Sequence, residues 1–169
     1  MSISLKTQVP DVDTYLRLRV DSGLSGYGRD AAEIGLRNSL FCVMLYDGDE
    51  AIGMGRLIGD GGCFVQVTDI AVLPAYQGQG LGKRIMAALT AHIESAFPPS
   101  TYVSLIADVP ANALYAQFGF EETAPVSLGM ARRAGAKTRS DRPAAGKYIP
   151  ARKSGRLGVL SRLGSSHNH

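Results

Sequence analysis

The sequence predicts an α/β fold, a mixed sheet with helices interleaved among its strands. Two observations carry that reading. Phe64-Val-Gln-Val-Thr-Asp-Ile-Ala-Val72 reads as a strand stopped by Pro74, and Leu81 to Ala96 places Leu81, Ile85, Ala88, Leu89 and His92-Ile93 on one helical face. Before them, two apolar runs flank Asp47-Gly48-Asp49-Glu50, a hairpin turn signal. Strands and helices that alternate in this way build a sheet covered by helices.

The elements follow in order. Ile3-Ser-Leu-Lys-Thr reads as a short first strand. Asp11 or Asp13 caps a helix through Tyr15, Leu16, Leu18 and Val20. Ser22 to Gly28 holds three glycines and reads as a loop. Asp30 then caps a second helix, roughly Ala31 to Asn38. Leu40 to Tyr46 and Ala51 to Ile58 are the hairpin strands, with Gly53 and Gly55 marking close packing or a bulge. Pro98-Pro99 ends the long helix, and Tyr102 to Ala107 is a further strand. Ala111 to Phe118 is a short helix ended by Gly119. Phe120 to about Val126 and Leu128 to Arg132 read as short terminal strands. No internal repeat is visible.

At 169 residues the chain is most simply one domain with one core. It is 45% apolar and 20% charged, without Trp, and no apolar run approaches a membrane span. Met1-Ser-Ile-Ser-Leu-Lys-Thr has no signal-peptide core, so a cytoplasmic location is expected. Cys42 and Cys63 fall in predicted strands and read as buried free thiols. Neither they nor His92, His167 and His169 have metal-ligand spacing, and no metal is expected.

The net charge of +3 is uneven. Residues 134–169 carry eight Lys or Arg and one acid, Asp141, while residues 1–133 carry ten basic and fourteen acidic residues. The expected organisation is therefore a folded domain over 1–133 and a basic, disordered tail over 134–169. Arg156 to Leu163 could form a basic amphipathic turn. The tail is a candidate for contact with anionic surfaces, whereas the core domain is not expected to bind nucleic acid.

Gln77-Gly78-Gln79-Gly80-Leu81-Gly82-Lys83 joins the long strand to the long helix. Glycines there let the backbone turn and present bare N–H groups. The helix N-terminus, Lys83 and Arg84 add positive charge, which suits a phosphate. Two common phosphate loops fail on spacing. From Gly78, the last glycine of G-x-G-x-x-G would fall on Lys83, and Arg84 stands where a Walker loop needs Ser or Thr. Q-x-x-G-x-G does fit, as Gln77, Gly80 and Gly82. Behind a strand ending Asp-Ile-Ala-Val-Leu-Pro, it resembles the coenzyme A pyrophosphate loop of the GNAT superfamily of N-acetyltransferases. A second motif, Leu114-Tyr115-Ala-Gln-Phe-Gly-Phe120, resembles that superfamily's L-Y-x-x-x-G-F signature. The resemblance covers roughly residues 1 to 130.

The resemblance implies a GNAT-like, mostly antiparallel sheet and acetyl transfer from acetyl-CoA to an amine. It assigns the pyrophosphate cradle to Gln77, Gly78, Gln79, Gly80, Leu81, Gly82 and Lys83. It lays the pantetheine arm along Ile70, Ala71 and Val72, with the Val72 N–H polarising the thioester carbonyl. Ile70 and Val72 can serve the core with their side chains at the same time. Tyr115 stands at the general-acid position, where a phenol is protonated at neutral pH. Asp108 takes a supporting cofactor-binding role, ahead of Asn112. The base is open. Gln66 and Thr68 occupy the positions where some members carry histidine, and Asp69 is the only acid on the strand. Asp69 reads equally as that base and as a structural hydrogen-bond acceptor.

Tyr27, Arg29 and Glu33 are candidates for the acceptor side, because loops carry specificity in such scaffolds. Arg29 would suit an acidic acceptor, Glu33 a cationic one. A small primary amine is the expected acceptor, with protein or peptide amines as the alternative. A non-catalytic acyl-CoA-binding regulatory module is the reading from another class. A homodimer joined through the terminal strands is expected by family analogy.

Overall fold

The computed structural model describes residues 3–135. The chain divides into two compact units, Met1–Gly129 and Met130–His169, and every strand and helix below lies in the first. The basic tail expected from residue 134, with its amphipathic turn, His167 and His169, lies almost wholly outside the described residues.

The strands are β1 (Ile3–Thr7), β2 (Phe41–Asp47), β3 (Glu50–Gly59), β4 (Phe64–Val72) and β5 (Tyr102–Leu105). The helices are α1 (Val12–Asp21), α2 (Arg29–Arg37), α3 (Leu81–Ala96) and α4 (Asn112–Ala116). One sheet runs in the order β1-β2-β3-β4-β5. The first four strands are antiparallel, and β5 joins β4 in parallel after the α3 crossover. The expected hairpin forms on a two-residue Gly48-Asp49 turn between the paired Asp47 and Glu50.

Helices cover both faces of the sheet, and two adjacent residues show why. A Cβ at Gly55 would run into Ile85 of α3 and stand 3.1 Å from Leu89, so glycine lets α3 lie close on one face. Arg56 points the other way, to Gly35 of α2 and Tyr15 of α1. Met44, Leu45, Leu57, Ile85, Met86 and Leu89 are fully buried in the resulting core. Each such side chain contributes roughly 1.5–3 kcal/mol relative to staying in water.

Four expectations need correction. On α1 the inward stripe is Tyr15, Leu18 and Arg19, which follow helical spacing, while Val20 is 58% exposed. Asp30 lies inside the first turn of α2, whose N-cap is Gly28 without a side-chain bond. Cys63 is exposed in the bend before β4, although Cys42 is buried and free as expected. No strand forms between residues 120 and 135. There, the Ser127 N–H closes a turn on the Thr123 carbonyl, Pro125 has no N–H to give a ladder, and Val126 and Leu128 are exposed.

Candidate active site

β4 and β5 separate halfway along. Their pairing ends at Val67 with Leu105, while β4 continues to Val72. Thr68 to Val72 therefore has no strand on its outer edge. The Leu73 N–H bonds the Ile52 carbonyl on β3. Successive N–H groups of a regular strand face opposite edges, so the Val72 N–H, next to that of Leu73, faces the open one. The Gln77 amide comes to that edge too, donating to the Val72 carbonyl at 2.9 Å.

A β-bulge sits just before. Met54 pairs with Ala71 and Arg56 with Thr68, so Gly55 alone faces Asp69 and Ile70. Asp69 has φ 57°, left-handed backbone that a non-glycine residue seldom adopts. The bulge buries the Asp69 side chain on the α1 and α2 face. There its carboxylate accepts from Arg19, from Arg56 Nε at 2.7 Å, from the Tyr15 hydroxyl at 3.1 Å and from the Thr68 hydroxyl at 3.3 Å. A carboxylate has about four acceptor sites. All are taken, which is the geometry of the structural acceptor rather than of a free base. Burial and the Asp69 charge raise the Tyr15 phenol above its ordinary value, so it stays neutral.

The loop beyond β4 fits a pyrophosphate. Gly78 and Gly80 both have φ 77°, and no atom lies within 4 Å of where their side chains would start. Gly80 is the N-cap of α3, gives no side-chain bond, and no acid stands in the first turn. The first intrahelical bond runs from the Arg84 N–H to the Gly80 carbonyl, leaving the N–H groups of Leu81, Gly82 and Lys83 for an anion. Lys83 and Gln79 are exposed beside them, Leu81 packs inward, and a Cβ at Gly82 would press on Leu114 at 3.3 Å. The Arg84 guanidinium turns away to the Ile3 carbonyl.

A cavity of about 360 Å³ opens where the two strands part. Thr68, Asp69 and Ile70 line one side, Asp108 and Tyr115 another, and Arg19, Leu24 and Tyr27 a third. Burial first, and the Asp108 carboxylate second, push the Tyr115 phenol above its ordinary value. Asn112 lines a separate apolar hollow of about 590 Å³ and reaches Glu122 at 3.4 Å.

Of the acceptor-side candidates, only Tyr27 reaches the cavity, where the Arg19 guanidinium lies 4.5 Å from its ring centre. Arg29 and Glu33 pair with each other on the surface of α2, with Arg29 also bound to Asp13, and neither lines the cavity. Sequence reasoning passed over Arg19 and Arg56. The available signal was an arginine inside the inward stripe of an amphipathic helix, four residues after Tyr15.

Comparisons with known proteins agree with this geometry. Residues 37–122 match the family model of the acetyltransferase (GNAT) domain. A Staphylococcus aureus protein of unknown function, named a probable acetyltransferase, is 48% identical over 78% of this chain and 99% of its own, with TM-score 0.75. A GNAT family acetyltransferase from Streptococcus pneumoniae is 29% identical over 80% of this chain and 100% of its own, with TM-score 0.67. Glucosamine-6-phosphate N-acetyltransferase from Arabidopsis thaliana shares the fold alone, at 14% identity, 78% of this chain, 99% of its own and TM-score 0.58. No curated protein matches the sequence. The family match, the open β4 edge and the uncapped glycine turn agree: this chain belongs to the GNAT superfamily and is an acyltransferase.

Proposed function

We propose that the protein moves the acetyl group of acetyl-CoA to the primary amine of a small molecule, in the cytoplasm. The observation that carries this reading is the parting of β4 from β5 after Val67 and Leu105, which opens a cavity lined by Thr68 to Ile70 and leaves the strand edge unpaired as far as Val72, ahead of the uncapped N-terminus of α3. Bound there, acetyl-CoA supplies an activated acetyl group, which the amine takes with release of the CoA thiol.

The chain's own residues divide the work. N–H groups from Gly78 to Lys83 hold the pyrophosphate oxygens. The Ile70 and Val72 main chain orients the arm, and the Val72 N–H donates to the carbonyl oxygen, where negative charge grows during attack. Tyr115 gives its phenolic proton to the departing sulfur and recovers one from the amine by way of water. Asp108 draws the protonated amine toward Tyr115, and the ammonium gives one proton to solvent water before its nitrogen attacks. Asp69 acts as a positioning residue: it holds the bulge that sets Ile70 and Val72 at the open edge. A small acceptor is favoured because the cavity, about 360 Å³, suits a compact molecule.

The test is CoA release from acetyl-CoA with arylalkylamines, polyamines, aminoglycosides, amino sugars and peptides. Turnover on one class of small amine is the expected result. Turnover on peptides alone would replace the small acceptor, and tight acetyl-CoA binding with no release on any amine would favour a regulatory module.

A further inference from the structure

The cavity lining holds two electrically different groups. Behind the first, Arg19 and Arg56 share a single carboxylate, Asp69, and the Tyr15 phenol that bonds it is neutral. That buried cluster therefore carries an excess of one positive charge. Arg56 is committed at all three nitrogens. Its Nε goes to Asp69, its Nη1 to the Gly35 carbonyl and the Ser39 hydroxyl, and its Nη2 to Tyr15.

Arg19 is not. Its Nε donates to the Ser25 carbonyl and its Nη1 to Asp69, while Nη2 makes no hydrogen bond among the described residues. The side chain is only 8% exposed, and it lines the cavity. The rings of Tyr15 and Tyr27 lie 5.8 and 4.5 Å from the guanidinium carbon and hold the fork in place. A pre-set guanidinium that keeps two donors and a share of unbalanced charge is built to receive an anion.

The second group is different. Asp108 is exposed, lies close enough to Tyr115 to raise its phenol, and has no ion-pair partner among the described residues. Its carboxylate suits an ammonium.

We propose that the acceptor is a small amine that also bears an acid group, a carboxylate or a phosphate. The acid group binds the Arg19 fork, and the amine lies at Asp108 and Tyr115. This rests on the acetyl-transfer reading above and adds the substrate class. It also moves recognition of an acidic acceptor from Arg29, where sequence reasoning looked for it, to Arg19.

The test uses the full chain at low ionic strength in chloride-free buffer, with three measurements. Calorimetry with acetyl-CoA reads the cradle by itself. Transfer rates are then compared for matched amines: phenylalanine against phenethylamine, and O-phosphoethanolamine against ethanolamine. Finally, acetate and inorganic phosphate, which cannot react, are titrated into protein saturated with acetyl-CoA.

The acid-bearing member of a pair should be preferred about ten-fold or more in kcat/KM. Which pair shows this separates carboxylate from phosphate. Arg19→Met should bring the ratio near one and abolish anion binding, the amine without the acid group serving as the internal reference for any general loss. Arg19→Lys, which keeps the charge and loses the fork, should fall between, and it serves where the Met variant does not fold. Equal rates within both pairs, or an acid preference that survives Arg19→Met, would overturn the proposal. Acetyl-CoA binding without transfer to any amine would sink the transfer reading instead. The anion titration then decides this one: saturable binding lost with Arg19→Met supports it, and no binding overturns it.

Discussion

Arg19 on α1 and Asp69 on β4, fifty residues apart in the chain, form a buried ion pair with side chains 8% and 2% exposed. Arg56 completes it from β3. Asp69→Asn leaves two guanidinium groups buried without a counter-charge, and removal of one partner from a buried pair costs about 3–5 kcal/mol. We expect a drop of that size in urea unfolding. The folded fraction should keep its alkaline rise in the pH–rate profile. A flattened rise at unchanged stability would restore Asp69 as the base.

Gly80 sits at φ 77°, where an L side chain costs about 1–2 kcal/mol, and the space above it is what a phosphate would fill. Gly80→Val should lower acetyl-CoA affinity at least ten-fold, while circular dichroism stays native. Normal binding of acetyl-CoA by that variant in calorimetry would remove the cradle from this loop.

Tyr115 must be protonated to serve as acid. Burial and the Asp108 charge both raise its phenol, so turnover should hold as pH climbs past the ordinary phenol value near 10. Asp108→Asn removes one of the two causes and should start the alkaline decline at lower pH. Tyr115→Phe should lower kcat by about 10²–10⁴ and leave the Kd for acetyl-CoA nearly alone. Wild-type turnover in the Phe variant contradicts the assignment.

Asp11 caps α1 by accepting from the Thr14 N–H at 2.9 Å and the Thr14 hydroxyl at 2.7 Å. Those bonds lower its folded pKa below the ordinary 3.8. The cap therefore contributes fully above the unfolded value and is lost as pH falls through the folded one. Asp11→Ala should cost about 1 kcal/mol at neutral pH, and the gap from wild type should close in acid. Thermal melts at pH 7 and pH 3 read both halves.

The strand and helix around the glycine turn were legible because each local signal agrees with the fold. Pro74 stops β4, and the apolar stripe from Leu81 runs unbroken to the end of α3. The short helix carrying Tyr115 was legible for the same reason. What escaped depends on long-range geometry. The sequence left Asp69 open between base and structural acceptor; a bulge opposite Gly55 puts its side chain in a buried cluster, and nothing local announces a φ of 57° at an aspartate. Arg19 was passed over because only tertiary contact with Asp69 and Tyr27 makes its inward position tolerable. The terminal strands failed in the opposite sense: they were read locally, but no ladder received them.

The parting of β4 from β5 also bears on how the protein should be stored. Five residues of strand edge, Thr68 to Val72, meet no neighbouring strand. Such an edge invites a strand from another molecule. A co-substrate lying along it takes the place of the missing strand and shields the seam. Concentrated protein kept with acetyl-CoA should remain monodisperse by light scattering, while protein kept without it should grow in apparent mass. The same molecule would then be reagent and preservative.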